Sequence, residues 1–262
     1  MSESQRGLQK EHFTLYEDKV EQAITHFAAE DAPVSIGLVF DTSDSMAFKL
    51  PKAREAVSAL LTNANPEDEF FLVEFNRRTR LSIGLTKQRE RIQNQVAMIQ
   101  ASGTTALLDA VLLGLSEMKN AHHTRKAIVI ISDGQDNVSH CSVEELKGAV
   151  RQADVLIYAI GITDSATSSK PWSSQGFAGS ALLEEIARQT GGRLFEVNKL
   201  KQLPDIAAKI GSWLRDQYVL AYSPNHRENK GGYRHIQMKI TAPKSFPRLR
   251  ASWRLGYYAP AE

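Results

Sequence analysis

Three short stretches of the chain concentrate oxygen-bearing side chains. Asp41-Thr42-Ser43-Asp44-Ser45 follows the apolar run VSIGLVF, Ser102-Gly103-Thr104-Thr105 precedes the apolar stretch ALLDA, and Asp133 closes the run KAIVIIS. Together they offer carboxylates and hydroxyls but no thiol and no imidazole. Hard oxygen donors at short, rigid spacing suit Mg²⁺ or Mn²⁺, with water completing an octahedron. Carboxylates clustered at the ends of buried strands repel one another unless a cation lies between them. Each piece also has a plain local reading: Asp and Ser cap helices, and Asp-Gly makes turns.

The elements that must position these residues follow from the pattern of apolar side chains. VSIGLVFD is apolar until its last residue, as expected for a strand covered on both faces. Ala53, Ala56, Val57, Leu60 and Leu61 then fall on one helical face, which Asn63 and Pro66 bring to a close. DEFFLVEF and RTRLSIG read as strands joined by a tight turn at Asn76, Arg77 and Arg78, the second of them an antiparallel edge. A helix from about Lys87 to Gln100, a helix over Ala106 to Met118 and the strand KAIVIIS come next. Ser142 with Glu145 forms a capping-box pattern that opens another helix. Strand VLIYAIGI, a Ser/Gly-rich loop from Thr163 to Gly179, a helix from Ala181 to Gln189, strand RLFEV and a helix near Pro204 to Asp216 complete the series.

This alternation predicts an α/β fold, a doubly wound, mostly parallel six-stranded sheet flanked by helices. In such sheets ligands sit outside the carboxyl ends of the strands, which is where the three oxygen-rich stretches fall. The flanks differ. FTLYED and VEQAITHFA look like a hairpin turning at Asp18-Lys19, and QYVLAYS, YRHIQMKIT and LRASWRLGYY look like three strands without a helix. The expected organisation is an N-terminal hairpin over residues 1–31, an α/β domain over 32–212 and C-terminal strands over 213–262, with the two ends meeting in a small antiparallel β appendage.

Composition narrows the function classes. The chain has 262 residues, 32 basic and 30 acidic, for a formal net charge of +2, which argues against a dedicated nucleic-acid binder. The balance is uneven: the segment from Trp213 onward carries nine Lys/Arg against three Asp/Glu, so an acidic body carries a basic tail. A solvated edge guarded by charge is the plainer reading of that tail than a phosphate-tracking groove. The single cysteine, Cys141, excludes an intramolecular disulfide and a Cys-rich zinc site. The longest near-apolar run, Ala127 to Ile131, is far too short to span a bilayer, and the first residues hold no apolar signal core, so the chain as given reads as soluble. Lys170, Pro171, Trp172 and Phe177 stand out in the Ser-rich loop, where an aromatic serves equally as binding anchor or as packing.

The spacing D-x-S-x-S, with a later Thr and a later Asp on separate strand ends, resembles the von Willebrand factor type A domain and its metal-ion-dependent adhesion site. FTLYED with QAITHF, DAPVSIGLVFDTS, GTTALLDA, IISDGQDN, TGGRLFEV, QYVLAYSP and RLGYYAP are similar to the bacterial branch of that family, from about Leu8 to Pro260. The resemblance implies that Asp41, Ser43 and Ser45 supply the first ligand loop, Thr105 or its neighbour Thr104 the second, with Thr105 favoured because it directly precedes the ALLDA run, and Asp133 the third, around Mg²⁺ or Mn²⁺. It implies a non-enzymatic, divalent-cation-dependent protein-binding module in which an acidic side chain of the partner completes the coordination. It also implies a secreted or periplasmic place, although this chain shows no signal segment and a cytoplasmic one stays open. One residue departs from the family pattern: Asp44 stands where Gly separates the two serines.

Two other classes share parts of this pattern. A Mg²⁺-assisted hydrolase shares the cation and the sheet. The chain has no G-x-S-x-G elbow, no G-x-G-x-x-G and no phosphate loop, and Asp41-Thr42-Ser43 lacks the second Asp of aspartyl-phosphate transferases. A scaffold or assembly subunit acting through the β appendage without metal is the third.

Overall fold

The computed structural model describes residues 7–29, 32–62, 64–163, 174–224, 231–243, 246 and 251–259, with the side chains of 174–179 left aside. Its strands are β1 Phe13–Glu17, β2 Val20–Gln22, β3 Ile24–Ala28, β4 Val34–Asp41, β5 Glu69–Phe75, β6 Thr79–Thr86, β7 Arg125–Ser132, β8 Leu156–Ile162, β9 Arg193–Val197, β10 Val219–Tyr222, β11 Tyr233–Ile240 and β12 Gly256–Tyr258. Its α-helices are α1 Leu50–Thr62, α2 Arg89–Met98, α3 Leu107–Glu117, α4 Val143–Gln152, α5 Ser174–Thr190 and α6 Leu203–Arg215.

The predicted doubly wound sheet is present, six strands in the order β6-β5-β4-β7-β8-β9. β4 pairs in parallel with both β5 and β7, β8 continues the parallel set to β9, and β6 runs antiparallel at the edge. All eight residues of β4 are buried, because helices cover both faces. One face packs Ile36, Leu38 and Phe40 against Ala53, Val57, Leu60 and Leu61 of α1 and Ile210 and Leu214 of α6. The other packs Val39, Val73, Ile128 and Ile130 against Val111 and Leu115 of α3, Leu146 of α4 and Ile186 of α5. Side chains alternating across each strand supply both cores from one sheet. The capping box at the start of α4 is formed, with Ser142 Oγ accepting from the Glu145 amide at 3.2 Å and Glu145 Oε2 accepting from the Ser142 amide at 2.7 Å.

After β4 the chain builds outward through β5 and β6, then returns to place β7 on the other side of β4 and builds outward again to β9. The order of winding reverses between β4 and β7. That reversal opens a crevice at their carboxyl ends, where Asp41 ends one strand and Asp133 follows the other.

The two flanks form antiparallel sheets apart from this body, as expected. β12, β11, β1 and β2 make a four-stranded sheet, and β10 pairs with β3 in a second. The expected hairpin is formed only in part. Asp18 and Lys19 turn the chain with φ of 48° and 69°, both in the left-handed region that two-residue hairpin turns require. The return strand breaks after Gln22, and β3 leaves β1 to pair with β10. Phe13 on β1, Phe27 on β3 and Tyr218 before β10 draw these pieces together, their ring centroids 5.3 to 5.6 Å apart. Among the described residues of the run LRASWRLGYY only β12 is strand; Trp253 and Leu255 still bond to Ile236 of β11, while Arg254 and Leu255 also reach the body. Leu255 donates its amide to the Gln189 carbonyl at 3.1 Å, and Arg254 pairs with Asp154 at 3.0 Å. The Ser/Gly-rich loop also differs from expectation: α5 already begins at Ser174. Lys170, Pro171 and Trp172 lie outside the described residues, as does the side chain of Phe177.

The basic tail has a structural use. Arg215 pairs with buried Asp68 at 2.6 Å, Arg234 with Glu17 at 2.5 Å and Arg254 with Asp154. Its cations tie the C-terminal elements to the N-terminal strand and to the body. Asp68 precedes β5 and Asp154 precedes β8, so the two ties to the body lie at the amino ends of its strands, opposite the crevice.

Candidate metal centre

Asp41, the last residue of β4, is fully buried. One carboxylate oxygen accepts from the Ser43 amide at 2.9 Å and the other from Ser132 Oγ at 2.6 Å. Burial pushes this carboxyl up, the charge of Asp133 pushes it further, and the hydrogen bonds from Ser132 and Ser43 only partly oppose them, leaving it at about 6. Asp41 and Asp133 therefore feel each other across the crevice. Ser43 Oγ lies 3.1 Å from Ser45 Oγ, so the two hydroxyls of the first loop share a hydrogen bond. Ser43 is buried and Ser45 exposed, which puts the pair on the rim.

The second loop is fastened to the first through its backbone. Ser102 donates its amide to the Thr42 carbonyl at 2.8 Å, and Asp44 donates its amide to Gly103 at 2.9 Å. Gly103, at φ +79°, takes a conformation that a side chain resists, and this bend lets the loop turn toward α3. Thr105 is 2% exposed and Thr104 is exposed. The Thr105 amide donates to Asn137 Oδ1 at 2.9 Å, and its carbonyl accepts from the Asn137 amide at 3.0 Å. Asp136 Oδ1 accepts from the Leu107 amide at 2.8 Å and so supplies the side-chain cap that Ala106 cannot give α3. Among the described residues no hydrogen bond joins the Thr105 hydroxyl to the other four candidate ligands.

Asp133 opens the third loop. Gly134 behind it has φ +79°, and its amide donates to Ser132 Oγ at 3.0 Å. Lys49, one residue before α1, reaches across and places its ammonium 2.8 Å from Asp133 Oδ2. The other oxygen, Oδ1, is buried and has no hydrogen-bond partner. Buried polar atoms are nearly always satisfied, so an orphaned carboxylate oxygen on a group that interacts electrostatically with a second buried carboxylate has the character of a ligand position.

The structure thus brings Asp41, Ser43, Ser45 and Asp133 to one crevice and fixes the Thr105 backbone beside it. Ser132, Lys49, Asp136 and Asn137 belong to the same assembly and escaped sequence reading. Ser132 carried a usable signal, a lone hydroxyl at the end of an otherwise apolar run. Asp44 is exposed, and only its backbone enters the network. Among the described residues no group of three or more His, Cys, Asp or Glu gathers as a metal cluster, so the donor set is two carboxylates and neutral hydroxyls. That set fits a hard divalent ion with water in part of its shell and does not fit zinc.

A model of the von Willebrand factor type A domain matches residues 35–209. The chain belongs to the von Willebrand factor type A family. It is 27% identical over 235 residues to mouse inter alpha-trypsin inhibitor heavy chain 4, a match covering 80% of this chain and 24% of that protein. It is 25% identical over 187 residues to an uncharacterized protein of Borreliella burgdorferi, covering 64% of this chain and 54% of the other. The chain therefore spans about a quarter to a half of the length of these relatives. Among solved structures, the von Willebrand factor type A protein of Catenulispora acidiphila superposes with a TM-score of 0.60 at 17% identity, over 82% of this chain and 51% of that one. BatB of Bacteroides thetaiotaomicron superposes at 0.54 and 18% identity, over 71% of this chain and all of the other. At these identities the likeness concerns the fold.

Proposed function

We propose that this von Willebrand type A domain is a divalent-cation-dependent protein-binding module. The observation that carries the reading is the buried, unpartnered Oδ1 of Asp133, whose carboxylate charge is felt by buried Asp41 at the reversal point of the sheet. Asp41 and Asp133 would supply charge, and Ser43, Ser45 and Thr105 neutral oxygens. A Mg²⁺ or Mn²⁺ ion held there would supply an electrophilic position to which a carboxylate oxygen of a partner could bind. The chain's own residues do the rest. Ser132 and the Ser43 amide hold Asp41 in one orientation, and Asn137 fixes the approach of Thr105.

The rim suits an acidic partner with an apolar neighbour. Phe48 is 85% exposed and directly precedes Lys49. Arg77 and Arg78 are exposed in the turn between β5 and β6 and make no ion pair among the described residues. Arg77 Cβ lies 3.8 Å from where a Cβ on Gly103 would stand, which places it beside the second loop. An exposed aromatic and unpaired cations flanking one site are a common composition for an interface core and its rim.

Among the described residues no histidine or thiol is hydrogen-bonded to the crevice carboxylates, as a hydrolase of that kind would use. His122 Nδ1 is 2.8 Å from Glu69 Oε2 at the amino end of β5, on the opposite edge, and His140 Nδ1 is 3.0 Å from Asp109 Oδ2 on α3. Burial and the Asp109 carboxylate push the Cys141 thiol up to about 12, so it is no nucleophile at neutral pH. Among the described residues no helix is long and apolar enough to cross a membrane.

Thermal unfolding in MgCl₂, MnCl₂ and EDTA, with Asp41→Ala as control, tests the metal reading. A ligand that binds only the folded state stabilises it, by about 2.7 kcal/mol at a hundredfold excess over Kd. The parent is expected to melt higher with either ion and Asp41→Ala to be indifferent; identical melts of the parent in MgCl₂ and EDTA sink the reading.

A further inference from the structure

We propose that Lys49 sets which cations this site accepts: its tethered ammonium occupies Asp133 until a divalent ion displaces it, and monovalent ions are kept out. The inference rests on the cation-site reading and deepens it.

Lys49 is held on both sides. Its amide donates to the Met46 carbonyl at 2.8 Å, and its carbonyl accepts from Ala53 at 3.0 Å, the bond that starts α1. The side chain leaves a fixed backbone for the crevice, and the pair with Asp133 is 12% and 3% exposed, so water screens it little. Asp41 has a hydrogen bond on each oxygen, whereas Asp133 has only this ammonium on Oδ2 and nothing on Oδ1. One positive charge thus serves a crevice built with two carboxylates. The ammonium makes no hydrogen bond with Ser43, Ser45 or Thr105 among the described residues.

These facts decide between classes of cation. Na⁺ or K⁺ carries the same charge as the group already in place, and a tethered group competes at high effective concentration. A divalent ion carries twice the charge and can use the neutral oxygens that the ammonium leaves untouched, so it can displace Lys49 where a monovalent ion cannot. Lys49 also keeps the metal-free crevice folded by compensating Asp133.

The full chain and its Lys49→Met and Lys49→Gln variants are compared by calorimetric titration with MgCl₂, and by thermal unfolding in equal concentrations of NaCl, KCl or tetramethylammonium chloride, whose cation is too bulky to enter. Both variants are expected to melt lower than the parent without divalent ion and to bind Mg²⁺ about tenfold more tightly, the scale of removing one partly buried competing ion pair. NaCl and KCl should raise their melting temperatures above that in tetramethylammonium chloride, while the parent shows no such difference. Unchanged or weaker Mg²⁺ binding in both variants overturns the proposal, as do equal effects of Na⁺ and tetramethylammonium on them, or an unfolded variant that Mg²⁺ fails to rescue. If the parent binds Mg²⁺ and the variants bind it no better, only the role of Lys49 falls. If none of the three binds it, the metal reading falls too.

Discussion

Ser132 Oγ donates to Asp41 Oδ2 at 2.6 Å, so the hydroxyl that ends β7 holds the carboxylate that ends β4 at the seam where the sheet reverses its winding. The same oxygen accepts from the Gly134 amide. Ser132→Ala leaves both groups buried and short of a partner. Loss of a buried partner costs about 1 to 3 kcal/mol. Urea unfolding without divalent ion should show a loss of that size, and a midpoint equal to the parent's would count against the seam's importance.

Asn137 acts at one remove, through the backbone of Thr105. Asn137→Ala should weaken Mg²⁺ binding several-fold in calorimetric titration and speed amide exchange around Thr105, while the far-UV spectrum stays native. Asn137→Asp keeps the acceptor and should recover the slow exchange. Equal exchange rates in parent and Asn137→Ala would remove Asn137 from the site.

Phe48 is exposed beside the crevice and contributes little to the core. Phe48→Ala should change stability by less than about 0.5 kcal/mol. It should leave the Mg²⁺ titration as it is and still lower the affinity for a partner captured in a Mg²⁺-dependent way. A marked drop in melting temperature would show instead that the ring packs on the fold.

Glu17 governs the far end of the molecule. Burial pushes its carboxyl up, but hydrogen bonds from Tyr222, Arg234 and Tyr257 together outweigh burial and hold it below its ordinary value of 4.5. A carboxyl lowered in the folded state adds stability that is present above its unfolded pKa and is lost as the pH falls through the lower, folded value. Stability in the parent should therefore fall on acidification below about pH 4.5. In Glu17→Gln that part of the fall should be absent and the plateau at neutral pH lower. Parallel stability curves for the two proteins between pH 3 and pH 7 would rule the network out.

The parallel sheet was legible because its signal is local: VSIGLVFD and KAIVIIS are apolar over their whole length, and only strands covered on both faces read so. The oxygen-rich ends were legible for the same reason, since topology puts strand ends on one edge. What escaped depends on long-range geometry. Nothing in the neighbourhood of Lys49 says that it reaches a residue 84 positions away. Asn137 looks like an ordinary turn residue until it is seen to hold Thr105. β3 departs from its hairpin because β10, close to two hundred residues further on, offers it a better partner than β1 does. The start of α5 escaped because a Ser/Gly-rich composition favours loops.

The strand that lies between β2 and β11 has a kinetic consequence. β1 pairs Phe13 with Ile240 and Glu17 with Ile236, contacts spanning nearly the whole chain. Closing so long a loop has little to offset it until the intervening body has folded. On a ribosome β1 emerges well before β11, and although β2 can pair with it locally, its β11 edge is left to pair late. Phe13 and Leu15, buried in the finished fold, would meanwhile lie on an open strand edge, a template for pairing with another chain. Misassembly during synthesis is therefore expected to begin at this strand rather than in the α/β body, and Glu17, Arg234 and the two tyrosines are the side chains that fasten β1 once it is paired.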